Sequence, residues 1–261
     1  MFGKEIEEYE NLRASYQEKV VKPMGVAEYG KYCEILFSAH SCAIEGNSFS
    51  VDDTRELKEK GLGMIPEGKS LLEAFEMLDH FRAYEHVIGN MGHPLDEELV
   101  KTVNRLVTEH TLQYRCPGAV PGEYTDCDMV AGDTVFGDHN ELIARLPRLL
   151  ESTEEALARG VHPVVVAARF HGFYEYLHPF RDGNGRTGRL LSNFILQRAG
   201  HPMALIRRED RAEYIACLRM IRTEGTDEHL VHFFFSSLMS RMRAEMEQKK
   251  GNTNRILGMF F

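Results

Sequence analysis

An all-α bundle carrying one small β-hairpin is the fold the sequence predicts, and three observations predict it. Apolar residues return every three to four positions over most of the chain, which is the helical period. Serines precede several of these stretches and Gly or Pro follows them, as helix ends require. Only residues 117–138 (PGAVPGEYTDCDMVAGDTVFGD) lack the period and are instead rich in Gly, Pro and Asp.

The elements follow in order. Ile6, Tyr9, Leu12, Tyr16 and Val20 mark a helix over residues 4–20. Tyr29, Tyr32, Cys33, Leu36, Phe37 and His40 mark a second over 26–44, which Gly46-Asn47 ends. Ser50 N-caps a short charged helix at 51–60. Further helices are expected at 70–89, 95–111, 139–159, 162–176, 185–199, 208–223 and 227–249. The segment from Met129 to Val135 forms the hairpin, turning near Gly132-Asp133, and the tail 250–261 is loosely ordered or used in a contact.

Composition narrows the function. The chain has 261 residues, 43% apolar and 27% charged, an ordinary balance for one globular domain. Its net charge of −9 is a poor match to a nucleic-acid partner. No apolar run approaches the ~20 residues of a membrane span. The N-terminal MFGKEIEEYENLRASYQEK has no apolar leader segment, so a cytoplasmic protein is expected. The 5 cysteines are scattered without a CxxC pair, which suggests neither a disulfide framework nor zinc.

Residues 63–70 (GMIPEGKS) spell the phosphate-loop pattern GxxxxGK[ST], but the pattern works only between a buried strand and a helix. A charged helix precedes it here. The same letters make a loop in which Ser70 caps the next helix and Glu73 completes a capping box.

The chemistry concentrates between His178 and Arg189 (HPFRDGNGRTGR). Pro179 excludes His178 from the α-region and ends the preceding helix there. Gly183-Asn184-Gly185 makes a tight turn, and a new helix starts with Arg186 and Arg189 on one face. A helix N-terminus aimed at a loop favours anions, and two arginines add forked donors for phosphate. Asp182 is a hard oxygen ligand suited to Mg²⁺, and His178 is a base whose ordinary pKa lies near neutrality. Taken singly, each residue reads as a helix end, a turn or a solvated face. Together they form a phosphoryl- or nucleotidyl-transfer site.

The stretch matches HxFx[DE]GNGRxxR, the active-site motif of the Fic family, at every defined position, and the chain resembles that family over roughly residues 30–240. The resemblance implies a Fic-type helical bundle with a catalytic core at 61–249 and N-terminal helices at 1–60. It implies His178 as the base that deprotonates a target hydroxyl, Asp182 as the holder of Mg²⁺, and Gly183, Asn184 and Gly185 as the anion hole. Arg186 and Arg189 would bind the β- and γ-phosphates of ATP, and Phe180 would anchor the loop. Met129, Val130, Ala131, Thr134 and Val135 would form a flap that docks a target segment by strand pairing. The implied reaction is transfer of AMP from ATP to a Ser, Thr or Tyr hydroxyl of a target protein.

Residues 41–46 (SCAIEG) resemble the family's inhibitory motif [ST]xxxE[GN]. Glu45 would pair with Arg189 and deny it to the γ-phosphate, with Ser41 and Gly46 completing the motif, all within one polypeptide. Thr125 stands where relatives often carry Arg. Tyr214 matches one adenine-contact position, while Ile215 and Arg222 stand where relatives have a second tyrosine and an asparagine. Two other readings use the same residues: removal of AMP from a modified protein, with Glu45 placing a water, and a nucleotide-gated binding module without turnover. A homodimer is the expected assembly, and the winged-helix module that many relatives carry after the core is not expected here.

Overall fold

The computed structural model describes residues 2–63, 65–131 and 134–251. Thirteen α-helices are assigned among them: α1 Gly3–Tyr16, α2 Lys22–Met24, α3 Val26–Ile44, α4 Val51–Lys60, α5 Leu71–Gly89, α6 Glu97–Thr108, α7 Leu112–Arg115, α8 His139–Ile143, α9 Leu146–Ala158, α10 Pro163–Leu177, α11 Asn184–Arg198, α12 Arg211–Thr223 and α13 Glu228–Gly251. Two short strands, β1 Val130–Ala131 and β2 Thr134–Val135, pair antiparallel with Val130 opposite Val135. The expected turn at Gly132-Asp133 and the tail beyond residue 251 lie outside the described residues.

The caps explain the boundaries. Ser50 and Ser70 each close a capping box, with Asp53 and Glu73 respectively, so the phosphate-loop letters before α5 are a loop and a helix start. Gly46 (φ 102°) turns the chain out of α3 after Glu45. Asp138 caps α8 and Asp96 caps α6. Two expectations change. The helix over 139–159 is two, because Pro147 sits in the first turn of α9 and breaks the hydrogen-bond ladder behind it. The helix over 4–20 leaves α-geometry at Gln17–Val21, where a π-helical stretch carries it towards α2.

One apolar core runs from Phe2 to Met242, with α10 and α11 supplying its fully buried centre, including Ala167, Phe170, Tyr174, Leu190, Phe194 and Ile195. Alanines and Gly188 let those two helices lie close: a Cβ on Gly188 would stand 2.9 Å from Tyr174 and Glu175 atoms. A smaller cluster of Cys42, Phe49, Leu57, Ala74, Met77 and Phe81 ties the end of α3 to α4 and α5. That cluster fixes where Glu45 emerges. Among the described residues no helix is long and apolar enough to cross a membrane.

Candidate active site

The loop between α10 and α11 holds its shape by self-bonding. Asn184 accepts from the Phe180 amide at 3.0 Å and donates to the Phe180 carbonyl at 2.7 Å. Its side chain is therefore spent on the turn, and only its main-chain N–H remains for an anion. Phe180 is 1% exposed and anchors the loop. Asn104 of α6 grips the loop from below, donating to the Asp182 carbonyl at 2.9 Å and accepting from the Gly122 amide at 3.3 Å. Gly183 (φ 76°) is the N-cap of α11, and no side chain caps that helix. A Cβ there would meet Thr108 at 2.6 Å. The first amides of α11 thus form an uncapped helix N-terminus, the anion cradle expected from the sequence.

Glu45 lies in that cradle. It accepts from Arg189 Nη2 at 2.7 Å, and a Cβ on Gly185 would overlap its Oε1. Arg189, 3% exposed, also donates through Nε to the Ser41 hydroxyl at 3.0 Å and through Nη2 to the Ser41 carbonyl at 2.8 Å. Burial by itself would raise the Glu45 pKa, but the Arg189 and Arg186 guanidiniums outweigh it and hold it below the usual carboxylate value. Arg189 is raised because Glu45 more than offsets the effect of burial. The motif serine and glutamate are thus brought together on one arginine, and Gly46 turns the chain just after them.

Arg186 faces inward. It is 1% exposed, forms an ion pair with Glu76 of α5 at 2.7 Å, and donates to the Val107 carbonyl at 3.2 Å and to Asp182 at 3.2 Å. Arg115 closes a ring of charges, reaching Glu76 at 3.1 Å and Asp182 at 3.5 Å. Glu76 also accepts from Asn47 at 2.9 Å, so the residue just after the inhibitory motif and the first motif arginine share one buried carboxylate. The sequence reading missed Glu76, Asn104 and Arg115. Asp182 offers one carboxylate at the loop, which fits a Mg²⁺ ion that takes its other ligands from phosphate and water. Both arginines on Asp182 keep Glu76 as a second partner, so a cation can replace them there without orphaning either.

His178 is the only non-glycine residue with positive φ among those described (φ 48°, ψ 57°). Proline does exclude the α-region, as expected, but the residue goes left-handed and not extended. The imidazole is 16% exposed and stacks on Phe136, ring centroids 3.9 Å apart. Burial first, and then the Arg222 charge, push its pKa down to about 4. Glu175, whose Oε2 is 3.9 Å from His178 Nδ1, is pushed up to about 7 by burial against the opposing pull of Arg189.

Tyr214, expected at the nucleotide base, is 1% exposed and stacks on His171 with its hydroxyl 2.7 Å from Nε2. It packs inside the helix layer and presents no surface to a base in this conformation. Arg222 caps α10, donating to the Glu175 carbonyl at 3.0 Å and to that of Tyr176, where free carbonyls welcome a cation. The flap needs no arginine at residue 125: the Thr125 amide donates to the Pro179 carbonyl at 2.8 Å and pins the segment directly to the loop. On the flap, Val130 is 61% and Val135 70% exposed, Thr134 is half-buried, and Met129 closes the hairpin by accepting from the Phe136 amide at 3.0 Å.

Fold and site define a helical protein with an anion cradle at one helix N-terminus and an internal carboxylate seated in it. Residues 94–196 match the model of the Fic/DOC family. "Protein adenylyltransferase Fic" of Culex quinquefasciatus is 31% identical over 213 residues, which is 79% of this chain and 40% of that protein. A Fic-domain-containing signaling protein from Bacteroides thetaiotaomicron superposes with a TM-score of 0.79 at 26% identity, covering 95% of this chain and 97% of that one. Fic-1 from C. elegans gives a TM-score of 0.79 at 24% identity, with 95% and 73% covered, a likeness of fold alone. The chain belongs to the Fic family. It spans about two fifths of the length of the curated relatives it matches.

Proposed function

We propose that the protein is a protein adenylyltransferase, moving AMP from ATP to a hydroxyl side chain of a target protein, and that Glu45 holds it off. The observation that carries this reading is the Glu45 carboxylate bonded to Arg189 at 2.7 Å over the first turn of α11. A carboxylate in an anion cradle occupies the place of a phosphate oxygen and takes the arginine that would bind it. Sequence similarity over most of this chain to relatives named protein adenylyltransferase supports the same chemistry.

The residues divide the work. The α11 amides at Asn184, Gly185 and Arg186 receive phosphate oxygens, and Arg189 binds the terminal phosphate once Glu45 withdraws. Arg186, fixed by Glu76, supplies a standing positive charge beneath the loop. Asp182 would hold Mg²⁺, which supplies neutralisation of the triphosphate charge. His178 accepts the proton of the target hydroxyl as its oxygen attacks the α-phosphorus, and pyrophosphate leaves. A neutral imidazole is the form this needs, and a pKa of about 4 keeps it neutral through the physiological range. The hairpin offers exposed Val130 and Val135 as the docking edge for the target segment. The setting we propose is a cytoplasmic homodimer acting on protein, in keeping with the net charge of −9.

The test is auto-modification with labelled ATP. Glu45→Gly is expected to raise it roughly tenfold to a hundredfold, the worth of one charge-assisted contact of ~1.5–3 kcal/mol. His178→Ala in that background is expected to abolish it. A Glu45→Gly protein that stays inert with every nucleotide overturns the reading.

A further inference from the structure

His178 sits in a conformation that costs a non-glycine residue free energy, so neighbouring contacts must hold it there. Two residues outside the motif do so. Phe136, the first residue after β2, lays its ring on the imidazole with an interplanar angle of 27°. Arg222 of α12 sets its guanidinium carbon 4.1 Å from the Phe136 ring centre and 4.4 Å from that of Tyr176. The same guanidinium bonds the carbonyls of Glu175 and Tyr176 in the last turn before His178. Arg222 thus braces both the strained turn and the ring pressed on the base. Phe136 is in turn joined to the hairpin, its amide closing on Met129 at 3.0 Å.

We infer that Phe136 is a positioning residue for the base: backed by Arg222, it clamps the His178 imidazole in plane and links it mechanically to the hairpin on which a target docks. The inference rests on the AMP-transfer reading for its purpose and on the stack for its evidence. A target segment that pairs with the hairpin shifts or tightens Phe136 and so sets the base in the same movement. This clamp shares no residue with the Glu45–Arg189 pair. The charged groups around the imidazole are Arg222 from α12, Glu175 from α10, Glu45 after α3 and Asp182 from the loop.

The experiment uses Phe136→Ala and Phe136→Tyr in the full chain, each with and without Glu45→Gly. The first readout is the His178 titration followed by NMR, which needs no turnover. Phe136→Ala is expected to move the midpoint up from about 4 towards the ordinary imidazole value, while Phe136→Tyr, which keeps the flat face, leaves it in place. The second readout is auto-modification in the Glu45→Gly background. There Phe136→Ala is expected to lower the rate at saturating ATP about tenfold, the sum of a ring stack and a cation–π contact, with the ATP Kd unchanged. Arg222→Met, which leaves the ring in place, is expected to act in the same direction with a smaller effect. An unmoved His178 titration in a folded Phe136→Ala protein overturns the clamp, as does an ATP Kd that changes in step with the rate. If Glu45→Gly is inert while the titration shifts as described, the clamp stands and the AMP-transfer reading falls.

Discussion

The two ends of the loop are held by opposite means. At the nucleotide end, charges hold charges: Glu45 on Arg189, Glu76 on Arg186 and Arg115, and Asp182 on both of the latter. At the base end a ring holds a ring, Phe136 on His178, with one guanidinium behind it. The difference shows what each end has to do. An ion pair inside an anion cradle can be exchanged for a phosphate of like charge, so it makes a reversible block. A stack fixes orientation and excludes water without competing for the ligand, so it suits a base that must stay neutral and aimed.

The sharpest break of that comparison is at Glu76. Removing this 1%-exposed carboxylate leaves Arg186, equally buried, without its main partner. Glu76→Ala is expected to cost ~3–5 kcal/mol in urea unfolding, the usual price of a stranded buried charge. Phe136→Ala, which strands no charge, should unfold far closer to the parent, and equal losses would erase the distinction. Next comes Gly183→Ala. The added methyl at φ 76° must push Thr108 aside, so a loss of ~1–3 kcal/mol is expected, with nucleotide binding weakened as the cradle shifts off α6.

The smallest effects concern pH. The Glu45 pKa lies below its unfolded value, so the latch contributes in full above the ordinary carboxylate range and is lost as pH falls through the lowered value. ATP affinity of the parent protein should therefore be flat from neutral to about pH 5. His178, depressed to about 4, likewise stays unprotonated over that window in the folded protein, but the stability tied to its neutrality is present in full only above the ordinary imidazole range and is lost progressively as pH falls from there through about 4. In the Glu45→Gly protein the rate should not show an acid limb near the ordinary imidazole pKa. A limb there would mean that the clamp does not bury the base.

These two ends were unequally legible in the sequence. The nucleotide end is written locally: twelve consecutive residues carry the turn, the cradle and both arginines, and Glu45 precedes a glycine stop in a motif of its own. The helices were legible for the same reason, since caps such as Ser50, Ser70 and Gly46 act within one turn. Glu76 was not, because a buried carboxylate on an amphipathic helix looks like any surface charge until Arg186, far along the chain, is packed against it. Asn104 and Phe136 hide likewise, their roles existing only once α6 and the hairpin meet the loop. Tyr214 shows the reverse: its position matches a pattern, while its burial against His171 exists only once the helix layer is packed.

The central claim is that Glu45 and a nucleotide phosphate compete for Arg189 at the start of α11. Calorimetric titration of ATP with Mg²⁺ into the parent and the Glu45→Gly protein tests it most directly. The account predicts binding about tenfold to a hundredfold tighter in the variant, from the contact released. Equal dissociation constants would contradict it.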